Sequence, residues 1–209
     1  MGTVVAPLAY GGSVTLWAYM VQATHVILEK HDHYQKQTQR NRLYIHGANG
    51  KLMLSVPVKH LGKEGHQHYK DVEIDNSFLW QGQHWKSLEA AYRSSPYFEY
   101  YEDEIAFLYQ ERFTHLYAFN NAIFQVLQSL MGLSFEVSFT QSYEKKATHQ
   151  DIRPLEEVKK NQAVAEVVYT QVFENKNGFI PNLSVLDLLF NQGPESLHLL
   201  KNCALPKKV

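Results

Sequence analysis

Residues 35–42, QKQTQRNR, set one lysine and two arginines among three glutamines and an asparagine. Lys36, Arg40 and Arg42 are donors for phosphate or carboxylate, and an arginine can hold either one through two parallel hydrogen bonds. The amides add neutral hydrogen bonding, which suits a polar ligand such as a nucleotide or a sugar. Arg40 and Arg42 are two residues apart, so on a strand they face the same way and can clamp one anion. Just upstream, HDH places His31 and His33 at the same spacing, which would suit a metal ion. A third ligand would come from His46, His60, His66, His68 or His84. Two histidines do not make a site, and solvated loop histidines are the preferred reading, so no metal is assigned. No cofactor is assigned either.

A second block, HWKSLEAAYRSSPYFEYY at 84–101, supplies a candidate base. His84 is expected to open a helix, where the positive end of the dipole lowers a histidine's affinity for its proton. A neutral imidazole there could take a proton from an attacking amine or hydroxyl. The plainer expectation is that most of these aromatics are core, with Trp85 and Leu88 buried under the sheet. Likewise the arginines could simply pair with the acidic start of the helix at 99–104. The YGGS turn at 10–13 could present free amides to an anion. It lacks the spacing of a nucleotide-binding loop, so an ordinary tight turn is the better reading.

The elements that must position these groups can be read along the chain. TVVAPLAY reads as a strand, with Pro7 placing it near an edge or a bulge. Ser13 then caps a helix running to about Ala23, and HVILEK is a buried strand. RLYIHG and KLMLSVPV flank Asn49-Gly50 as a hairpin, with both turn residues tolerant of positive φ. YKDVEID, FEVSFT and VVYTQVF read as further strands, and 59–68 as a polar loop. Three helices follow from Gln83, the second opened by Ser95-Pro96, with Asp103 and Glu104 near its beginning. The region 143–160 reads as a polar loop with a short helix after Pro154. NLSVLDLLFNQG and GPESLHLLKN are two short helices near the end. The expected fold is α/β or α+β, a single domain over 1–209. Its N-terminal half is strand-rich, and its middle and C-terminus are helical.

The 209 residues are 44% hydrophobic and 13% aromatic, the balance of a globular chain. Net charge is −1, so no global field favours nucleic acid or membrane. Charge is segregated, however. Residues 30–63 carry seven lysines and arginines against the single acid Asp32, whereas 97–111 carry five acids and no base. The lone Cys203 excludes an internal disulfide and fits a reducing compartment. The expected location is the cytoplasm, with no leader peptide and no membrane span. Oligomeric state is left open.

Taken together, HYQKQTQRNRLYIHGANGK, LSVPVKH, HWKSLEAAYRSSPYFEYYEDEI and LSVLDLLFNQG, in that order between about Ala9 and Gly193, resemble the WbqC-like protein family of bacteria. The family's opening block reads like AYLPP, where this chain has AYGGS. By its name, the resemblance implies a link to O-antigen and other surface-polysaccharide gene clusters. It implies an enzyme that transfers an acyl or aminoacyl group in modifying a sugar nucleotide or glycan. Lys36, Arg40, Arg42, His84, Tyr92 and Arg93 lie in the matching blocks, the first three with Tyr92 and Arg93 as ligand contacts and His84 as base. The alternative is a non-catalytic protein that binds a polar ligand or partner. A nucleic-acid binder is least favoured, because no long basic stripe accompanies the aromatics.

Overall fold

A computed structural model describes residues 1–59, 67–157 and 163–206. Most of the loop expected at 59–68 lies outside these residues, as do His60 and His66. The chain opens with β1 (Thr3–Pro7), α1 (Val14–Gln22) and β2 (His25–Glu29). Ser13 caps α1 by accepting the Leu16 amide through Oγ. β1 and β2 pair in parallel, and β5 (Glu136–Phe139) and β6 (Gln150–Asp151) extend them into a four-stranded parallel sheet, order β5-β2-β1-β6. Alternation decides the faces. Val4, Ala6, Val26 and Leu28 are fully buried against the helices. Val5, Ile27 and Ser138 face the other way, toward residues 140–149.

β3 (Arg42–Gly47) and β4 (Gly50–Ser55) form the expected hairpin. Its turn is Ala48-Asn49 rather than Asn49-Gly50, and only Gly50 takes positive φ. Then come α2 (Trp80–Tyr92), α3 (Phe98–Gln110) and α4 (Leu116–Leu130), and after β5 and β6 α5 (Glu174–Asn177), α6 (Val185–Gln192) and α7 (Glu195–Asn202). The fold is thus mixed α/β. No described helix is long and apolar enough to cross a membrane.

Several local expectations are corrected. Pro7 ends an interior strand, where β6 is too short to reach it: β6 pairs only with Val4 and Val5. YKDVEID forms a 3-10 turn at Tyr69–Asp71, although Val72 and Ile74 are buried as their alternation required. VVYTQVF is not a strand. Its Tyr169 and Gln171 reach the buried Asp187 instead. Ser95 closes α2, its hydroxyl donating to the Tyr92 carbonyl, and α3 starts only at Phe98. Asp103 and Glu104 therefore sit in mid-helix. Leu88 is buried, but Trp85 is only partly so; it stacks on Phe98 and tilts against Tyr109 of α3 rather than lying under the sheet.

A candidate site at the carboxyl end of the parallel sheet

In a parallel sheet, ligands bind beyond the carboxyl ends of the strands. Here those ends deliver Glu29 from β2, Thr140 just after β5 and Asp151 from β6. A cleft of about 360 Å³ runs from there over the sheet face that the helices leave open, floored by Val5, Ile27 and Ser138 and walled by Thr140, His149 and Arg153 among others. That volume lies in the usual range for small-molecule sites.

Its polar groups are held by one another. The Arg153 fork donates to Asp151 through Nε and Nη2 (2.8 and 2.7 Å) and to Glu29 Oε2 through Nη1 (3.0 Å). Glu29 Oε1 also accepts from the Thr140 hydroxyl (2.8 Å) and the His31 amide (2.7 Å). Arg153 is held above the usual guanidinium range, chiefly by its hydrogen bonds to Asp151. Burial pushes the Asp151 carboxyl up, but the bonds from Arg153 outweigh it and the net shift is downward. Such a fixed fork of alternating donors and acceptors suits the hydroxyls of a sugar.

Behind the cleft lies a second charge cluster. Arg40 is almost fully buried. Its Nε and Nη2 donate to Glu156 (2.7 and 2.6 Å), and it also bonds Asp32 and the His33 carbonyl. Its guanidinium lies 5.0 Å from the centre of the Tyr69 ring. Two buried carboxyls share one arginine, so they cannot both ionise freely. Burial raises Asp32, and it raises Glu156 to about 7.

The clamp expected of residues 36–42 is not assembled. The segment is ordered over the strand ends, where the Gln39 carbonyl accepts the Tyr10 amide and the Gln39 amide donates to the Glu156 carbonyl. But Arg40 precedes β3 and points into the protein, while Lys36 is exposed. Arg42 lines a separate small recess with Tyr10, Tyr44 and Ser184. Tyr92 is buried, its hydroxyl donating to Asp187 (2.6 Å). Arg93 is at the surface, paired with Glu89 and Glu102. The acidic helix thus does bind an arginine, but the arginine is Arg93. Of the aromatics near it, Phe98 and Tyr101 are core and Tyr100 is exposed. None of them walls the cleft.

The amides that open the helix after YGGS are not free. The α1 amides of Val14, Thr15 and Leu16 donate to the Leu183 carbonyl, Asn182 Oδ1 and Ser13 Oγ. Gly11 and Gly12 take positive φ so that the chain can make this turn. His31 and His33 do not lie on a strand, and His33 stacks on His68 with ring centres 4.9 Å apart. Among the described residues, no group of three or more histidines, cysteines or acids is placed to hold a metal.

His84 lies in the second turn of α2, so the helix start does not set its protonation. Its ring is buried between Tyr10 and Trp80. Nδ1 is hydrogen-bonded to the Tyr10 hydroxyl (2.8 Å), which in turn meets the Tyr109 hydroxyl (2.9 Å). The Ser55 backbone also bonds the imidazole. Burial lowers its pKa to about 4, so the neutral state expected for His84 comes from desolvation. The folded value lies below the ordinary 6.5, so the stability it contributes is present above 6.5 and is lost as pH falls through 4. Glu156 acts oppositely: its folded value is raised, so its contribution is lost as pH rises from about 4.5 toward 7. The two slopes oppose each other in the wild type. His84→Gln should therefore gain about 3 kcal/mol relative to wild type between pH 7 and pH 4. Urea unfolding across that range measures it, and parallel curves for the two proteins would remove the assignment.

The cleft residues were missed because Asp151 and Arg153 lie in a polar stretch that reads as loop. A signal was nevertheless present in HVILE, where a carboxylate closes an otherwise apolar strand, the expected place for a site residue in a parallel sheet.

The WbqC-like protein family model matches residues 14–165 and 156–199. An uncharacterised protein of Mycobacterium tuberculosis is 27% identical over 197 residues, covering 81% of this chain and 84% of its own length. No solved structure matches the chain.

Proposed function

The chain belongs to the WbqC-like protein family, and from that premise we propose that it binds the sugar part of an activated sugar in the cleft at the carboxyl end of its sheet. There it transfers a small acyl or aminoacyl group in surface-polysaccharide or sugar-nucleotide modification. The observation that carries this is the Arg153 fork, which fixes Glu29 and Asp151 beside Ser138, Thr140 and His149 at the strand ends. Alternating donors and acceptors of this kind discriminate hydroxyl positions, and the apolar floor of Val5 and Ile27 receives a pyranose face.

Proton transfer requires a base within hydrogen-bond reach of the substrate. His84 was the sequence candidate, but its ring is buried and engaged by Tyr10 and the Ser55 backbone. His149 is exposed and lines the cleft, so it takes the role of base here. The ligand contacts pass from the 36–42 and 92–93 residues to Glu29, Ser138, Thr140 and Arg153. Arg40 and Tyr92 become structural residues, Arg40 holding Glu156 and Asp32 in place and Tyr92 holding Asp187.

The test is a turnover assay with nucleotide sugars and acyl or aminoacyl donors, run beside ligand-binding calorimetry. His149→Ala should keep sugar binding within about threefold and lower kcat by roughly 10²–10⁴. His84→Ala should keep most of the rate. Full activity in His149→Ala with loss in His84→Ala would return the base to His84. Sugar binding without turnover under any donor would favour the non-catalytic reading.

A further inference from the structure

A larger groove lies away from the sheet, where the start of α2 meets the end of α3. Its volume is about 700 Å³, and Lys86, Arg112, Gln81, Tyr109, Phe78 and Leu79 are among the residues that line it. No carboxylate is among its described lining residues. We propose that this groove is a second binding site, for a molecule carrying a phosphoryl or pyrophosphoryl group.

The charge pattern is the first argument. The protein pairs Arg40, Arg93 and Arg153 with carboxylates. Among the described residues Lys86 and Arg112 have no ion-pair partner, although both line one concavity. Two cations without counter-charge on the walls of a groove focus positive potential into it and favour an anion. An arginine fork and a mobile ammonium together match a phosphoryl group.

The walls are the second argument. Gln81 is tied across the groove, its Nε2 donating to the Glu111 carbonyl (2.5 Å). Gly82 leaves its flank open, since an added Cβ there would meet nothing within 4 Å. The floor is rigid, because the Tyr109 hydroxyl is bonded to Tyr10, which holds His84. Phe78 and Leu79 are exposed at the lip, 61% and 84%, and can cover an apolar ring attached to the phosphate. α2 also opens here without a capping side chain, so its dipole adds the same sign. The unpaired cations and the lack of an acid are nevertheless the stronger ground. This site stands independently of sugar binding at the sheet.

Calorimetry at low salt with inorganic pyrophosphate, uridine diphosphate and uridine is the test. Trp80 serves as a fluorescence reporter, because its Nε1 donates to the groove residue Asn76 (3.3 Å). Both phosphorylated probes should bind and uridine should not. Lys86→Ala with Arg112→Ala should weaken both by roughly tenfold or more, with an unchanged melting temperature because both side chains are exposed and unpaired. If that double variant misfolds, the single glutamine substitutions take its place. His149→Ala, at the sheet, should leave pyrophosphate binding as it was. Absence of binding by either phosphorylated probe, or affinity indifferent to the Lys86 and Arg112 changes, would overturn the proposal. Tighter binding of uridine diphosphate than of pyrophosphate assigns the lip to the attached ring, and equal binding assigns the phosphate alone; both outcomes support the site.

Discussion

Arg40→Ala loses about 3–5 kcal/mol of folding stability at pH 8, as expected when a buried ion pair is cut on one side only. The arginine is 2% exposed, and removing it leaves Glu156 and Asp32 without their shared counter-charge. It also strips the His33 carbonyl of a donor and Tyr69 of its stacked guanidinium. The loss should shrink at pH 5. Without Arg40 the two carboxyls are raised further, and a carboxyl that folds protonated costs little when the solution already protonates it. Urea unfolding at both pH values gives the result. A variant as stable as the wild type at pH 8 would mean that Arg40 is dispensable to the fold. Below its melting temperature the variant should still bind at the sheet cleft, because Arg40 does not line it. The opposite pattern, normal stability with lost binding, is what an anion clamp would give.

Gly193→Ala should cost a comparable amount, roughly 3–4 kcal/mol, by two separate routes. The residue takes φ +52°, ψ −127° after α6, a region that is essentially glycine's alone, so alanine strains the backbone by about 1–3 kcal/mol. Its added Cβ would also stand 2.6 Å from the Tyr97 ring atoms Cγ and Cε1. Tyr97 cannot swing away freely, since its amide donates to the Phe190 carbonyl and its side chain packs on the core, so overpacking adds about 1–3 kcal/mol. Thermal melting monitored by circular dichroism measures the sum. Gly132→Ala is the control: Gly132 also takes positive φ, but an added Cβ meets nothing within 4 Å, so only strain remains. Equal losses at the two positions would show that the Tyr97 clash is absorbed.

What the sequence determined by itself was local. Ser13 before an apolar helix, the HVILE run, the alternation of FEVSFT and the 3.6-residue stripe of α4 each place an element through the periodicity of its own side chains. Gly50 likewise marks the hairpin. The order of four parallel strands was decided elsewhere. Parallel partners are far apart in sequence, and β6 is only two residues long, too short to show any period. The site followed the sheet. Glu29, Ser138, Thr140 and Arg153 span 124 residues of chain and meet only because the strands carrying them end together. The polar run 31–42 was legible as unusual, but its use was not. An arginine's sequence neighbours do not say whether acids from 116 residues away will bury it, and Glu156 does so to Arg40. For His84 the neutral state was anticipated and its cause was not. A helix start can be read from a sequence, whereas the burial that lowers this proton affinity belongs to Tyr10 and Trp80 closing on the ring, which only tertiary packing supplies.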